Sequence, residues 1–168
     1  MIVIIMGVAG SGKTTIGKQL AARLGCGFSD ADEFHSEANK QKMARGIALD
    51  DEDRQPWLEA MRDAIKAQRK QGHDWVFACS ALKRRYRQLL SGGDEQVMWV
   101  YLDGSEDLLL ERLTKRAGHF FDPRLLRSQL QTLEAPREDE AIRVDITPSP
   151  EEIVETLMKR LSRAEASG

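Results

Sequence analysis

The chain alternates between short apolar runs and longer segments in which apolar residues recur every three or four positions. Five runs read as strands: Ile2 to Met6, Gly27 to Asp30, Trp75 to Ser80, Val97 to Leu102 and Arg143 to Ile146. Between them, Ile16, Leu20 and Leu24, and later Leu108, Leu109 and Leu113, have the spacing of one helix face. Strands that alternate with helices predict an α/β fold whose parallel sheet is covered on both faces. The spacing is uneven, because about 45 residues part the second strand from the third and about 40 part the fourth from the fifth. The first of these stretches, 31–72, is highly charged and is expected to be a substrate-binding insertion. The second, 117–140, carries Gly118, Pro123, Pro136 and several arginines and is expected to be a lid. No repeat or linker divides the chain, so residues 1–168 are expected to form one domain with a disordered tail, Ala164 to Gly168.

Composition narrows the partners. With 25 Lys+Arg against 27 Asp+Glu, the formal net charge of -2 offers no overall positive field for nucleic acid or an anionic membrane. Any anion has to be caught locally. The longest apolar run, Met1 to Met6, is far short of a membrane span, and without a basic leader it is not expected to be a signal peptide. Cys26 and Cys79 show neither metal-ligand spacing nor a disulfide framework, which fits a reducing cytoplasm. His35, His73 and His119 are widely separated, so a zinc site is not expected and any metal should be a hard cation held by oxygen.

Directly after the first strand comes Gly7-Val8-Ala9-Gly10-Ser11-Gly12-Lys13-Thr14, a complete phosphate-binding loop. Its glycines let successive backbone N–H groups turn inward on phosphate oxygens, and Gly12 leads into a helix N-terminus. Lys13 reaches the β- and γ-phosphates and the Thr14 hydroxyl can ligate Mg²⁺; the expected ATP-binding run is Gly7 to Thr15. A GTPase would carry Asn/Thr-Lys-x-Asp, and neither Asn39-Lys40-Gln41-Lys42 nor Thr114-Lys115-Arg116-Ala117 ends in aspartate. The loop therefore predicts an ATP-dependent kinase.

The second strand ends in Asp30-Ala31-Asp32, and a parallel sheet places both carboxylates at its carboxyl edge beside the loop. Asp30 is a candidate to hold Mg²⁺ through water and Asp32 to accept the proton of an attacking hydroxyl. The plainer alternative is that one of them caps a helix opening near Glu33. No aspartate closes the third strand, where such a metal-holding acid often stands. Arg54, Lys83, Arg84 and Arg87 are candidate cations for an anionic acceptor, a carboxylate or a phosphate.

Taken in order, these blocks resemble the thermoresistant type of gluconokinase, small P-loop sugar-acid kinases related in architecture to shikimate and nucleoside monophosphate kinases. The likeness covers nearly the whole chain. It is carried by the loop, Asp30-Ala31-Asp32-Glu33-Phe34-His35, Lys42-Met43, Asp51-Glu52-Asp53-Arg54-Gln55-Pro56-Trp57-Leu58, Cys79-Ser80-Ala81-Leu82-Lys83-Arg84, Tyr86-Arg87, Gly118-His119-Phe120 and Val144-Asp145-Ile146. Ser36, Arg45 and Ala117 depart from it. The resemblance implies a three-layer P-loop kinase fold with a five-stranded parallel sheet ordered 2-3-1-4-5. It also implies transfer from ATP to D-gluconate giving 6-phospho-D-gluconate and ADP, a cytoplasmic location and often a homodimer. The expected catalytic residues are then Lys13, Asp32 and Arg116, and the expected gluconate-binding residues are Asp32, His35, Arg54 and Lys83. Thr14 and Asp30 are the metal candidates, and the resemblance puts Arg112 at the adenine and Arg116 at the phosphates. Trp57, Trp75 and Trp99 are expected to be packing residues, and Cys79 a buried small apolar one. Another small-molecule kinase, for shikimate or a nucleoside monophosphate, and a nucleotide-binding switch stay open as alternatives.

Overall fold

Every residue from Ile2 to Met6 is buried, and this run forms the central strand, β1. The computed structural model describes residues 1–47, 49–115 and 123–167. After β1 come α1 (Lys13–Leu24), β2 (Gly27–Asp30), a short 3-10 turn (Ala31–Phe34), α2 (Glu37–Ala44) and α3 (Asp51–Gln71). Then follow β3 (Trp75–Ala78), α4 (Arg84–Ser91), β4 (Val97–Asp103), α5 (Glu106–Thr114), α6 (Pro123–Thr132), β5 (Ile142–Asp145) and α7 (Pro150–Ser167). The strands make one parallel sheet, as the sequence pattern predicts, in the order β2-β3-β1-β4-β5 that the family resemblance implies.

Side chains alternate across a strand, so β1 feeds two separate cores. Val3 and Ile5 pack with Ile16 and Leu20 of α1, Leu109 and Leu113 of α5, and Ile153, Leu157 and Leu161 of α7. Ile2, Ile4 and Met6 pack on the other face with Trp57, Leu58, Met61 and Ile65 of α3 and with Tyr86 and Leu90 of α4. This is the three-layer α/β arrangement. The strand limits agree with the pattern to within two residues: β3 stops at Ala78 and β4 runs on to Asp103. The tail differs. Helix α7 continues to Ser167, because Ala164-Glu165-Ala166 consists of strong helix formers that extend an already packed helix. Among the described residues, no helix is long and apolar enough to cross a membrane.

The two long stretches turn out to be composite. In 31–72, α3 is a core layer, opened by a capping box between Asp50 and Asp53, and the part that stands away from the core is 36–47. There Ser36, a departure from the family pattern, caps α2 by accepting from the Asn39 N–H at 3.1 Å. In 117–140, α6 sinks Leu126 into the first core with Leu130 and Leu133 packed against it. The chain beyond α6 is tied down by Glu134 N–H donating to the Leu82 carbonyl at 2.8 Å. Gly118, His119 and Phe120 lie outside the described residues.

Arg87, a candidate acceptor ligand by sequence, serves the fold instead. Its side chain is 7% exposed. Nη1 donates to the carbonyls of Ala81 at 2.9 Å and Leu82 at 3.3 Å, and Nη2 to that of Glu134 at 2.8 Å. Ala81 has φ +45°, a left-handed conformation that a non-glycine residue adopts at a cost, and the Arg87 bond helps to hold it. Arg84 likewise turns away, with Nη2 3.1 Å from Glu140 Oε1. Arg87→Met keeps the volume but leaves three carbonyls without their donor. At ~1.5–3 kcal/mol for a bond to a charged group, stability should fall by about 3 kcal/mol. The melting temperature should then drop by roughly 6–12 °C in a chain of this size, which calorimetry would read. An unchanged melt would mean that the carbonyls find other donors.

Candidate active site

Strand β1 lies between β3 and β4, at the point where the strand order reverses, and its carboxyl end opens into the crevice that such a reversal leaves. The phosphate loop fills that crevice. Gly10 and Gly12 have φ of +83° and +92°, which other residues adopt only under strain, and a Cβ on Gly10 would lie 2.8 Å from Leu113. Gly12 precedes α1 without a side-chain cap, so the first-turn N–H groups are left for an anion. Lys13 Nζ donates to the Val8 carbonyl at 3.1 Å, folded back over the loop. Ser11 Oγ is buried without a hydrogen-bond partner among the described residues. The Ala9 N–H donates to Gln129 Oε1 of α6 at 2.7 Å.

Both sequence readings of the aspartates bear on Asp30. Its Oδ1 caps the 3-10 turn by accepting from Asp32 N–H at 3.0 Å, while Oδ2 accepts from Thr14 Oγ1 at 2.8 Å. An anionic and a neutral oxygen side by side are hard donors of the kind Mg²⁺ takes. Among the described residues there is no group of three or more His, Cys, Asp or Glu side chains that could hold a metal ion by itself. Asp32 lines the same cleft. Burial raises its pKa, the negative charge of Asp30 adds to the rise, and His35 and Lys13 oppose it.

His35 stacks on the Trp57 ring at 4.3 Å between centroids and 12° between planes. The hydrogen-bond network assigns its tautomer. Asn39 Nδ2 donates to the Asp53 carbonyl at 2.8 Å, which fixes the amide, and its other hydrogen faces His35 Nδ1 at 3.4 Å. Nδ1 therefore accepts, and the ring carries its proton on Nε2. Burial lowers the His35 pKa against the pull of Asp32, with Arg54 and Lys40 adding to the fall. Trp57 also donates from Nε1 to the Ala31 carbonyl at 2.7 Å, so this packing residue is part of the site wall. Cys79 is buried just after β3, its thiol pushed up to about 12 by burial.

On the rim, several groups converge on one carboxylate oxygen, Asp51 Oδ1. Tyr86 OH donates to it at 2.6 Å, Arg85 Nη2 lies at 2.6 Å, Lys83 Nζ at 3.7 Å and Arg54 Nη1 at 4.0 Å. Arg54 also donates to Tyr86 OH at 3.1 Å. The Tyr86 and Arg85 bonds hold Asp51 down at about 2. Of the expected acceptor cations, Arg54 lines the cleft and Lys83 stands behind it, over the Tyr86 ring. Arg112 is far from these, donating from Nη2 to the Ile146 carbonyl at 2.5 Å beside the end of β5. Arg116 lies outside the described residues. Sequence reading did not single out Asn39, Asp51 or Gln129 as site residues, and charge or polarity alone gave no signal for them.

Together these walls enclose a cleft of about 630 Å³ that runs from Lys13 and Thr14 past Asp32 and His35 to Arg54. A phosphate loop on a 2-3-1-4-5 parallel sheet, with a carboxylate and cations facing it, defines a P-loop phosphotransferase. A family model described as shikimate kinase matches residues 9–162. A probable gluconokinase of Dictyostelium discoideum is 48% identical, over 96% of this chain and 86% of its own. A gluconokinase of Gluconobacter oxydans (strain 621H) is 46% identical, over 93% of this chain and 88% of its own. The crystal structure of a gluconokinase from Sinorhizobium meliloti 1021 superposes with a TM-score of 0.87 at 40% identity, over 96% of this chain and 91% of that one. The chain belongs to the gluconokinase family, within the shikimate-kinase-like P-loop kinases.

The environment of Asp32 has a cost that can be measured. A carboxyl whose folded pKa is raised adds most to stability while protonated, and that contribution is lost as pH rises through the folded pKa. Asp32→Asn should thus melt above the wild type at pH 7, with the gap closing as pH falls below the ordinary aspartate value of about 3.9. Melting curves of both proteins from pH 3 to pH 8 check this. A variant less stable at neutral pH would mean that Asp32 is stabilised where it stands.

Proposed function

We propose that this chain transfers the γ-phosphoryl group of ATP to D-gluconate, giving 6-phospho-D-gluconate and ADP. The observation that carries this is one cleft in which the phosphate loop faces Asp32, a carboxylate of raised proton affinity, and beyond it Arg54. The likeness to relatives named gluconokinases supports gluconate as the acceptor.

In this reading Lys13 and the first-turn N–H groups of α1 hold the β- and γ-phosphates. Thr14 Oγ1 and Asp30 Oδ2 would hold Mg²⁺, which when bound neutralises charge on those phosphate oxygens. Asp32 accepts the proton of the O6 hydroxyl as O6 forms its bond to the γ-phosphorus. The bond from that phosphorus to the bridging oxygen breaks, and its electron pair leaves with ADP. A raised pKa brings Asp32 closer to the operating pH, where a general base is most effective. His35 donates from Nε2–H to a substrate hydroxyl, and Arg54, with Lys83 behind it, draws the gluconate carboxylate. Arg112 is assigned to the adenine side and Arg116 to the phosphates, as the family likeness implies. Residues 36–47 are the part of 31–72 assigned to the acceptor: Met43 and Ile47 are exposed apolar side chains at the cleft, with Leu125 of α6 another.

ADP release should depend on gluconate, with shikimate and nucleoside monophosphates giving none above background. Turnover on shikimate instead would move the acceptor assignment, and release without any acceptor would favour a nucleotide switch. Asp32→Asn should lower kcat by roughly 10²- to 10⁴-fold with ATP affinity little changed. Arg54→Ala should raise the gluconate KM by an amount equivalent to about 2–5 kcal/mol, and an unchanged KM would remove Arg54 from the site.

A further inference from the structure

Ala9 sits within the phosphate loop, yet its N–H is satisfied by a side chain 120 positions away, Gln129 Oε1 at 2.7 Å. Gln129 is half-buried on α6, whose two faces have different duties. Leu126 and Leu130, with Leu133 just beyond the helix, anchor it in the core, while Leu125, Ser128, Gln129 and Thr132 border the cleft. The helix is held further by the Glu134–Leu82 and Arg87–Glu134 bonds, so Gln129 is carried on a fixed support. Its bond to Ala9 also orients the amide. With Oε1 on the loop, both hydrogens of Nε2 point elsewhere, and among the described residues no acceptor takes them.

We propose that Gln129 is a further catalytic residue: Oε1 holds the loop at Ala9 while Nε2 donates to the γ-phosphoryl group during its transfer. This rests on the kinase reading above. In that reading the phosphates are held by Lys13 and the N–H groups at the start of α1, further along the chain than Ala9, so the Ala9 bond can persist with nucleotide bound. A neutral donor held ready by a fixed helix suits a transition state in which charge spreads over the equatorial phosphoryl oxygens.

Two variants separate the halves of the device. Gln129→Glu keeps an acceptor for Ala9 but turns a carboxylate toward the phosphate, and Gln129→Ala removes both contacts. Calorimetric binding without acceptor should find ADP within about twofold of wild type in Gln129→Glu, and ATP weakened at least about tenfold, since only ATP carries the γ-phosphate. Its kcat should fall by roughly 10²-fold, the usual loss for one preorganised donor. Equal weakening of ATP and ADP would overturn the proposal in favour of a loop-fixing role alone. Tighter ATP binding by Gln129→Ala would overturn it too, marking Gln129 as a placeholder that nucleotide expels. The ATP-to-ADP ratio is read without gluconate, so it stands even if another acceptor proves correct. A wild type that bound neither nucleotide would sink the kinase reading itself.

Discussion

A strand buried on both faces has no freedom of register. Sliding β1 by one residue would exchange Ile2, Ile4 and Met6 with Val3 and Ile5, and both cores would lose their central contacts at once. Because β1 is fixed, the points at which its neighbours stop are fixed as well. The site is built at those stops: Gly7 after β1, Asp30 at the end of β2, and Cys79, Ser80 and Ala81 after β3. Parallel pairing brings them all to one edge, and the reversal of strand order beside β1 leaves the crevice that the phosphate loop occupies.

Electrostatics then divides the edge into regions. Near the loop, where phosphate charge must be received, the protein offers backbone N–H groups, Lys13 and two hard oxygens. Asp32 is the exception, a carboxylate kept in a partly dry place next to Asp30, and its raised proton affinity is a local destabilisation suited to taking a proton. At the far rim the cations are gathered by Asp51, which draws Arg54, Lys83 and Arg85 together and takes the hydroxyl of Tyr86.

The wall opposite the loop is held by Arg87 and α6. One guanidinium joins the turn after β3 to the segment after α6, and the same helix presents Gln129 to Ala9. The left-handed Ala81, the anchored α6 and the phosphate loop are therefore mechanically connected through hydrogen bonds that each bury a polar group. Geometry of this kind keeps reacting groups in place without motion of the loop itself.

The phosphate loop, the five strands and the placing of Asp30 at the edge beside that loop were legible in the amino-acid sequence from local spacing, and the strand order from the family resemblance. The family blocks extended that reading to His35 and Arg54. Charge and position along the chain, without the family blocks, could not separate Arg87 from Arg54, or Gln129 from the other polar residues of α6. Arg87 and Arg54 carry the same charge near the same edge, but one guanidinium is enclosed by carbonyls and the other opens on the cleft. The tautomer of His35 and the cap at Ser36 likewise depend on partners chosen in three dimensions. Local pattern determines where a chain turns helical or extended and where it can receive phosphate. What a polar side chain does there was decided only by the tertiary structure, because burial and the nearest complementary group set its proton affinity and its partner.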